Sequence, residues 1–247
     1  MTTNLDKNFQ TFENRVLNGG FKIYSFKLSD YNNVVNEDFQ IENNDKIGIL
    51  LISIPRMFEM TFIPFTNKCS NLININVDPI DLCIKHFIES NLKNCDLNMF
   101  DVIYDYEMDH FNKPKILMQS IGHVSSAAYY YPSTDNSKMK LGLSVHPSYG
   151  GWFAFRAVLI EKKNDGIFQN SCYFNEKFVK NYTFNSPINV LKGIDSEKIL
   201  IDFNQNWKNN NYRNCIKTVD VYSKIQQNYF ITPSHLRINY LKKIGVL

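Results

Sequence analysis

Arginine is the scarce basic residue in this chain. Of 27 lysines and arginines, only Arg15, Arg56, Arg156, Arg213 and Arg237 are arginine, so each marks a place where a planar five-donor fork serves better than a point charge. Arg156 lies inside the apolar run Trp152 to Leu159. Strand alternation there puts Phe153, Phe155 and Ala157 on one face, and Trp152, Ala154, Arg156 and Val158 on the other. A guanidinium flanked by apolar side chains is costly without a partner. Two readings stay open: an ion pair with Asp105 or Glu107 on a neighbouring strand, or capture of an anionic ligand.

A second constellation is His123-Val124-Ser125-Ser126-Ala127-Ala128, which leads into Tyr129, Tyr130 and Tyr131. Small side chains let a large flat object approach the backbone, and tyrosines add apolar faces with polar tips, a mixture suited to a macrocycle edged with amides. Close helix-on-sheet packing explains the same small residues, and a lone His123 reads equally as a satisfied core histidine. Gly150-Gly151 reads as a turn. There is no P-loop, no GxGxxG after a strand and no GxSxG elbow, so kinase and hydrolase chemistry have nothing to stand on. The five cysteines (Cys69, Cys83, Cys95, Cys172, Cys215) form no CxxC pair, and the five histidines fall outside metal-ligand spacings. That pattern implies reduced thiols in a cytosolic protein and no metal held by side chains.

The elements that must position these residues follow from hydrophobic period and punctuation. The isoleucine-rich run from Lys46 to Ser53 suits a buried strand, and Met57 to Phe65 suits a helix. Asp78 and Pro79 are N-cap and first residue of a helix reaching about Asn94. Phe100 to Tyr106 reads as a strand, and Ile116 to about Tyr129 as a helix. Leu141 to Val145 and Trp152 to Ile160 read as a hairpin around the loop His146-Pro147-Ser148-Tyr149-Gly150-Gly151. Residues 161–193 form an irregular connection, taken as a boundary. From Ser196 the chain is mainly helical, and its last helix opens with Thr232 as N-cap and Pro233 at the first position, with Gly245 near its end. These elements make an α+β fold with a core at residues 1–190 and a helical cap at 191–247.

Bulk properties narrow the class. A chain of 247 residues with 44% hydrophobic content can bury a full core and enclose a ligand. A net charge of +3 without a basic run argues against nucleic acid as a partner. The first twenty residues lack the features of a signal or transit peptide, and the longest apolar stretch, Ile47 to Pro55, is too short to span a bilayer. The expectation is a cytoplasmic protein with no membrane partner.

The string Pro114 to Tyr131 (PKILMQSIGHVSSAAYYY) and the string His146 to Arg156 (HPSYGGWFAFR) closely resemble the signature region of the CblC-type (MMACHC) cobalamin-processing family. The likeness extends to Phe21 to Phe26, Asp78-Pro79, Asp105-Tyr106-Glu107, Tyr212-Arg213, Tyr229-Phe230, Thr232-Pro233 and Arg237, nearly the whole chain. The resemblance implies a nitroreductase-like flavin-reductase fold with an antiparallel sheet core and a C-terminal helical cap. It implies cobalamin bound base-off, glutathione-dependent dealkylation of alkylcobalamins, and reductive decyanation of cyanocobalamin fed by FMN or FAD. By the same resemblance, Asp105, Ile116, Leu117, Met118, Gln119, His123, Tyr130, Tyr131, Gly142, Ser144 and Phe155 line the cobalamin, while Arg156, Arg213 and Arg237 hold glutathione. A CblD-like protein, the methionine synthase system and a ligand-dependent homodimer are implied partners. Ser144 stands where the family often has cysteine, Pro132 replaces a glutamine and Asn210 replaces a tryptophan. A cobalamin carrier without catalysis, or a flavin reductase of the same fold, are the alternatives.

Overall fold

The computed structural model describes residues 3–42, 46–74, 76–133, 140–162 and 194–247. Helix α1 (Asn4–Asn18) starts at a capping box, with the Thr3 hydroxyl accepting from the Asp6 amide while the Asp6 carboxylate accepts from the Thr3 amide. It buries Phe9, Phe12 and Val16, one stripe at helical spacing. Strand β1 (Phe21–Lys27) runs into the short helix α2 (Leu28–Asn32), followed by β2 (Ile47–Ser53). A single π-helical turn, Phe58–Phe62, continues into α3 (Ile63–Lys68). Helix α4 (Pro79–Asn94) begins as its sequence demands, with the Asp78 carboxylate accepting from the Ile80 amide and Pro79 in the first turn. Its buried face is Ile80, Cys83, Ile84, Ile88 and Leu92.

Strand β3 (Phe100–Tyr104), helix α5 (Met118–Val124), strands β4 (Tyr129–Tyr131), β5 (Leu143–Val145) and β6 (Ala154–Glu161), and helices α6 (Ser196–Asn206), α7 (Lys224–Ile231) and α8 (Arg237–Lys243) complete the chain. The main sheet is antiparallel in the order β1-β2-β6-β3. Both of its faces are covered. Ile49, Leu51, Ala157 and Leu159 pack with α1 and α4, whereas Leu50, Ile52, Val158 and Ile160 pack with α2 and α5. That double burial is why β2 reads as a continuous apolar run instead of an alternating one. A third cluster joins Leu143 and Val145 to Ile199, Leu200 and Tyr212, seating the small β4–β5 sheet against α6. The fold is therefore a mixed one, helices on both sides of an antiparallel sheet. Among the described residues no helix is long and apolar enough to cross a membrane, and Cys69, Cys83, Cys95 and Cys215 are free thiols.

Five sequence expectations change. The helix expected from Ile116 to Tyr129 stops at Val124, because Ser126 turns left-handed at φ 59° and the tyrosine triplet becomes β4. The expected hairpin does not form: β5 pairs with β4 (Tyr130 opposite Ser144), and β6 pairs with β2 and β3. The strand expected to reach Tyr106 ends at Tyr104. Thr232 caps no following helix; its amide and hydroxyl bond back to the Asn228 carbonyl and close α7, and α8 starts only at Arg237. The strict alternation in β6 fails because the β2–β6 register shifts between Leu51/Ala157 and Ile52/Phe155, leaving Arg156 as the extra residue of a β-bulge. Phe155 and Val158 consequently face the same core cluster, the one opposite Ala157. Most of the irregular connection expected at 161–193, including Cys172, lies outside the described residues.

Candidate functional site

A cleft of about 350 Å3 opens where the start of α5, the β4–β5 sheet, the entry to β6 and the 203–213 segment meet. It is lined by Asp105, Met118, Gln119, Gly142, Ser144 and Phe155 from the expected corrin set, and by Arg213 from the expected glutathione set. Phe153, Phe203 and Tyr212 add aromatic wall. Phe153 and Phe155 meet edge to face at 5.2 Å, and Gly122 of α5 allows this, since a β-carbon there would fall 2.4 Å from the Phe155 ring. Gly142 is similarly required by Tyr130, whose hydroxyl would lie 2.4 Å from an added β-carbon. The Ser144 hydroxyl is buried and has no hydrogen-bond partner among the described residues, so a polar group entering the cleft would relieve a standing cost.

The remaining expected residues are near but not in the lining. His123 accepts the Tyr130 amide at Nδ1 over 3.4 Å and meets the Tyr129 ring edge-on. Burial holds its pKa below the usual value, so it is neutral at physiological pH. Ile116 is buried in the core between sheet and α5, with Leu117 packed beside it. Tyr131 packs with the third cluster, its phenol pushed up to about 12 by burial and by Cys215 and Tyr129 nearby. His146 is a structural residue: its Nδ1 accepts the Ser148 and Tyr149 amides, so Nε2 carries the proton and donates to the Tyr24 hydroxyl at 2.8 Å. Burial, reinforced by Lys22, pushes its pKa down to about 3.

The three expected arginines converge. Tyr222 and Phe230 form a ring pair 5.4 Å apart. Arg156 and Arg237 each lie over Phe230 at 5.9 Å, and Arg213 lies over Tyr222 at 5.1 Å. Arg156 is almost fully buried. Its Nε donates to the Ser53 hydroxyl at 2.8 Å, its Nη1 is 4.0 Å from Asp105, and its Nη2 has no partner among the described residues. The ion-pair reading of the sequence is thus half met, with a weak partner and one donor pair to spare. Arg213 donates from Nε to Asn210 at 3.1 Å and from Nη1 to the Gly151 carbonyl. Gly150 and Gly151 do more than turn the chain, because β-carbons there would press on the Arg213 backbone. Arg237 pairs with Asp78 and donates to the Thr232 carbonyl. Asp81, beside this group, is pushed up to about 6, chiefly by burial, with Arg156 and Arg237 opposing and Asp78 and Asp105 adding to the shift.

Sequence reasoning missed Tyr222, Ser53 and the role of Asn210. Tyr222 sits in a stretch with no period signal. Asn210 has one in retrospect: it takes a left-handed conformation, φ 61°, which asparagine tolerates, and thereby turns its amide oxygen toward Arg213. Among the described residues no group of three or more His, Cys, Asp or Glu is placed to hold a metal ion.

The chain as a whole is similar to known proteins. A cyanocobalamin reductase / alkylcobalamin dealkylase of Danio rerio is 36% identical over 249 residues, covering 96% of this chain and 93% of that protein. The Homo sapiens protein of the same name is 28% identical over 241 residues, covering 94% of this chain and 80% of that one. A crystal structure of the C. elegans B12-trafficking protein CblC superposes with a TM-score of 0.74 at 27% identity, covering 97% of this chain and 96% of that one. The family model for methylmalonic aciduria and homocystinuria type C (MMACHC) matches residues 20–241, and the chain belongs to that family.

Proposed function

We propose that this protein binds cobalamin and removes its upper axial ligand, acting as an alkylcobalamin dealkylase with glutathione and as a cyanocobalamin reductase. The observation that carries the reading is the convergence of Arg156, Arg213 and Arg237 on one aromatic pair, with Arg213 also lining the cleft that holds six of the expected corrin residues. A small tripeptide bearing two carboxylates suits such a set, because bidentate charge-assisted bonds fix both its charge and its direction. The cleft supplies aromatic walls for a ring edge and the unsatisfied Ser144 hydroxyl for a corrin amide. Its described lining offers cobalt no imidazole, which suits a base-off substrate whose lower-valent cobalt is easier to reach.

For dealkylation, the glutathione thiolate attacks the cobalt-bound carbon; the C–S bond forms, the Co–C bond breaks and its electron pair stays on cobalt, giving cob(I)alamin and an S-alkyl glutathione. The chain's part is to hold the tripeptide carboxylates so that sulfur meets carbon in line. For decyanation, reduced FMN or FAD would supply the electrons, and the same aromatic cleft with its spare hydroxyl fits a flat amide-edged ring. In this reading residues 1–190 form a nitroreductase-like core and 191–247 a cap, with Arg156 drawn from the first and Arg213 and Arg237 from the second. The protein would act in the cytoplasm, handing product toward a CblD-like protein and the methionine synthase system, and would pair with a second copy when loaded. Anaerobic methylcobalamin with glutathione should first show the base-off spectrum and then the reduced product. Binding without turnover would leave a carrier, and yellow protein indifferent to cobalamin would leave a flavin reductase.

A further inference from the structure

A second hollow, about 580 Å3, lies between the end of α1, the start of β1, the turn after β2 and the residue 219–220 segment. It shares no lining residue with the cleft that carries the corrin set, and its size falls within the usual range for small-molecule sites. Part of its lining is apolar and exposed: Leu17, Met60 and Val219 are 53%, 57% and 72% exposed. Exposed apolar side chains are ordinary when scattered, but three around one concavity form a patch that water alone covers poorly.

Charged groups share the same lining. The Lys22 ammonium sits 5.0 Å above the Tyr149 ring and has no carboxylate partner among the described residues. Arg56 lines the same hollow and meets Asp220 only loosely, Nε to carboxylate 3.5 Å, with its side chain 76% exposed. A screened surface pair of this kind exchanges partners at little cost. The walls are already built. Tyr149 is held through its amide to His146, the Val219 amide donates to Ser148, and Gly20 at φ 83° lets the backbone pack on Met57. A preformed site spends little on ordering.

From this meeting of apolar and cationic side chains around one hollow we infer that it is a binding site for a small amphiphilic anion, an apolar body carrying one carboxylate, sulfonate or phosphate. The head would bridge Lys22 and Arg56 in place of Asp220, and the body would cover Leu17, Met60 and Val219. Cobalamin and glutathione are not its occupants, since the residues proposed for them lie elsewhere.

The test uses the full chain and 1-anilinonaphthalene-8-sulfonate, an apolar anion whose fluorescence reports binding. Saturating hydroxocobalamin should leave the signal in place. Lys22→Gln with Arg56→Gln should weaken probe affinity about tenfold or more while thermal unfolding and cobalamin binding stay unchanged, and decanoate should displace the probe far better than decanol. Displacement by cobalamin, unchanged affinity in the double variant, equal competition by decanol, or no binding at all would each overturn the inference. Because cobalamin binding is read separately, failure here is distinct from failure of the proposed processing activity.

Discussion

The Tyr229 hydroxyl donates to Asp78 at 2.7 Å, joining helix α7 to the very carboxylate that caps α4 and pairs with Arg237. One side chain thus ties the sheet-covering helix to both C-terminal helices and fixes the direction of an arginine in the candidate site.

Replacing Asp78 separates these roles. Asp78→Asn keeps a good N-cap and an acceptor for Tyr229 but removes the charge facing Arg237, whereas Asp78→Ala removes all three. Urea denaturation should show a loss of about 2–4 kcal/mol for alanine and roughly half that for asparagine. Under the proposed function both should raise the glutathione KM, and equal stability losses would argue against the separation.

Arg213 offers the cleanest test of the glutathione reading, because it is half-buried and touches the cleft. Arg213→Lys keeps the charge and loses the fork. Dealkylation should need about tenfold more glutathione, the value of one charge-assisted bond, and cyanocobalamin reduction should be unchanged. Steady-state kinetics with each substrate would decide it.

Gly122→Ala probes the cleft wall. The added carbon meets Phe155 at 2.4 Å, so the gain in helix propensity, about 1 kcal/mol, is met by an overpacking cost of about 1–3 kcal/mol. The ring should be pushed toward the cleft. Cobalamin titration should show weaker binding with little change in melting temperature.

Asp81 gives a pH signature. Its pKa in the folded protein, raised to about 6, lies above its unfolded value near 4, so the folded state binds this proton more tightly and stability from this group falls as pH rises between those values. Asp81→Asn removes the penalty. The variant should gain on the parent by about 1–2 kcal/mol between pH 4.5 and pH 7.5, read as the difference between denaturation midpoints at the two pH values.

Local signals made some of this architecture legible and long-range pairing hid the rest. The cap at Asp78-Pro79 and the stripe from Ile80 to Leu92 are written within one helix, and β2 announces itself because both its faces are buried. The Thr232-Pro233 pair carries the same punctuation, yet Thr232 bonds backward to Asn228, a choice that depends on where α7 must stop. The partner of β5 could not be read from proximity in sequence, since β4 competes with β6 for it. For the site, scarcity drew attention to five arginines and the family resemblance chose the three that converge, but Tyr222, whose ring lies 5.1 Å from the Arg213 guanidinium, belongs to an aperiodic stretch. The bulge at Arg156 left no mark in the alternation of apolar residues.

That one-residue insertion gives the chain a fixed anchor. Both neighbours of β6 are strands of the same sheet, so the guanidinium of Arg156 inherits the stiffness of the molecule's centre, while Arg213 and Arg237 ride on peripheral segments. Loops around the mouth can be rewritten, and the outer pair repositioned with them, without disturbing the one charge that is built into the sheet.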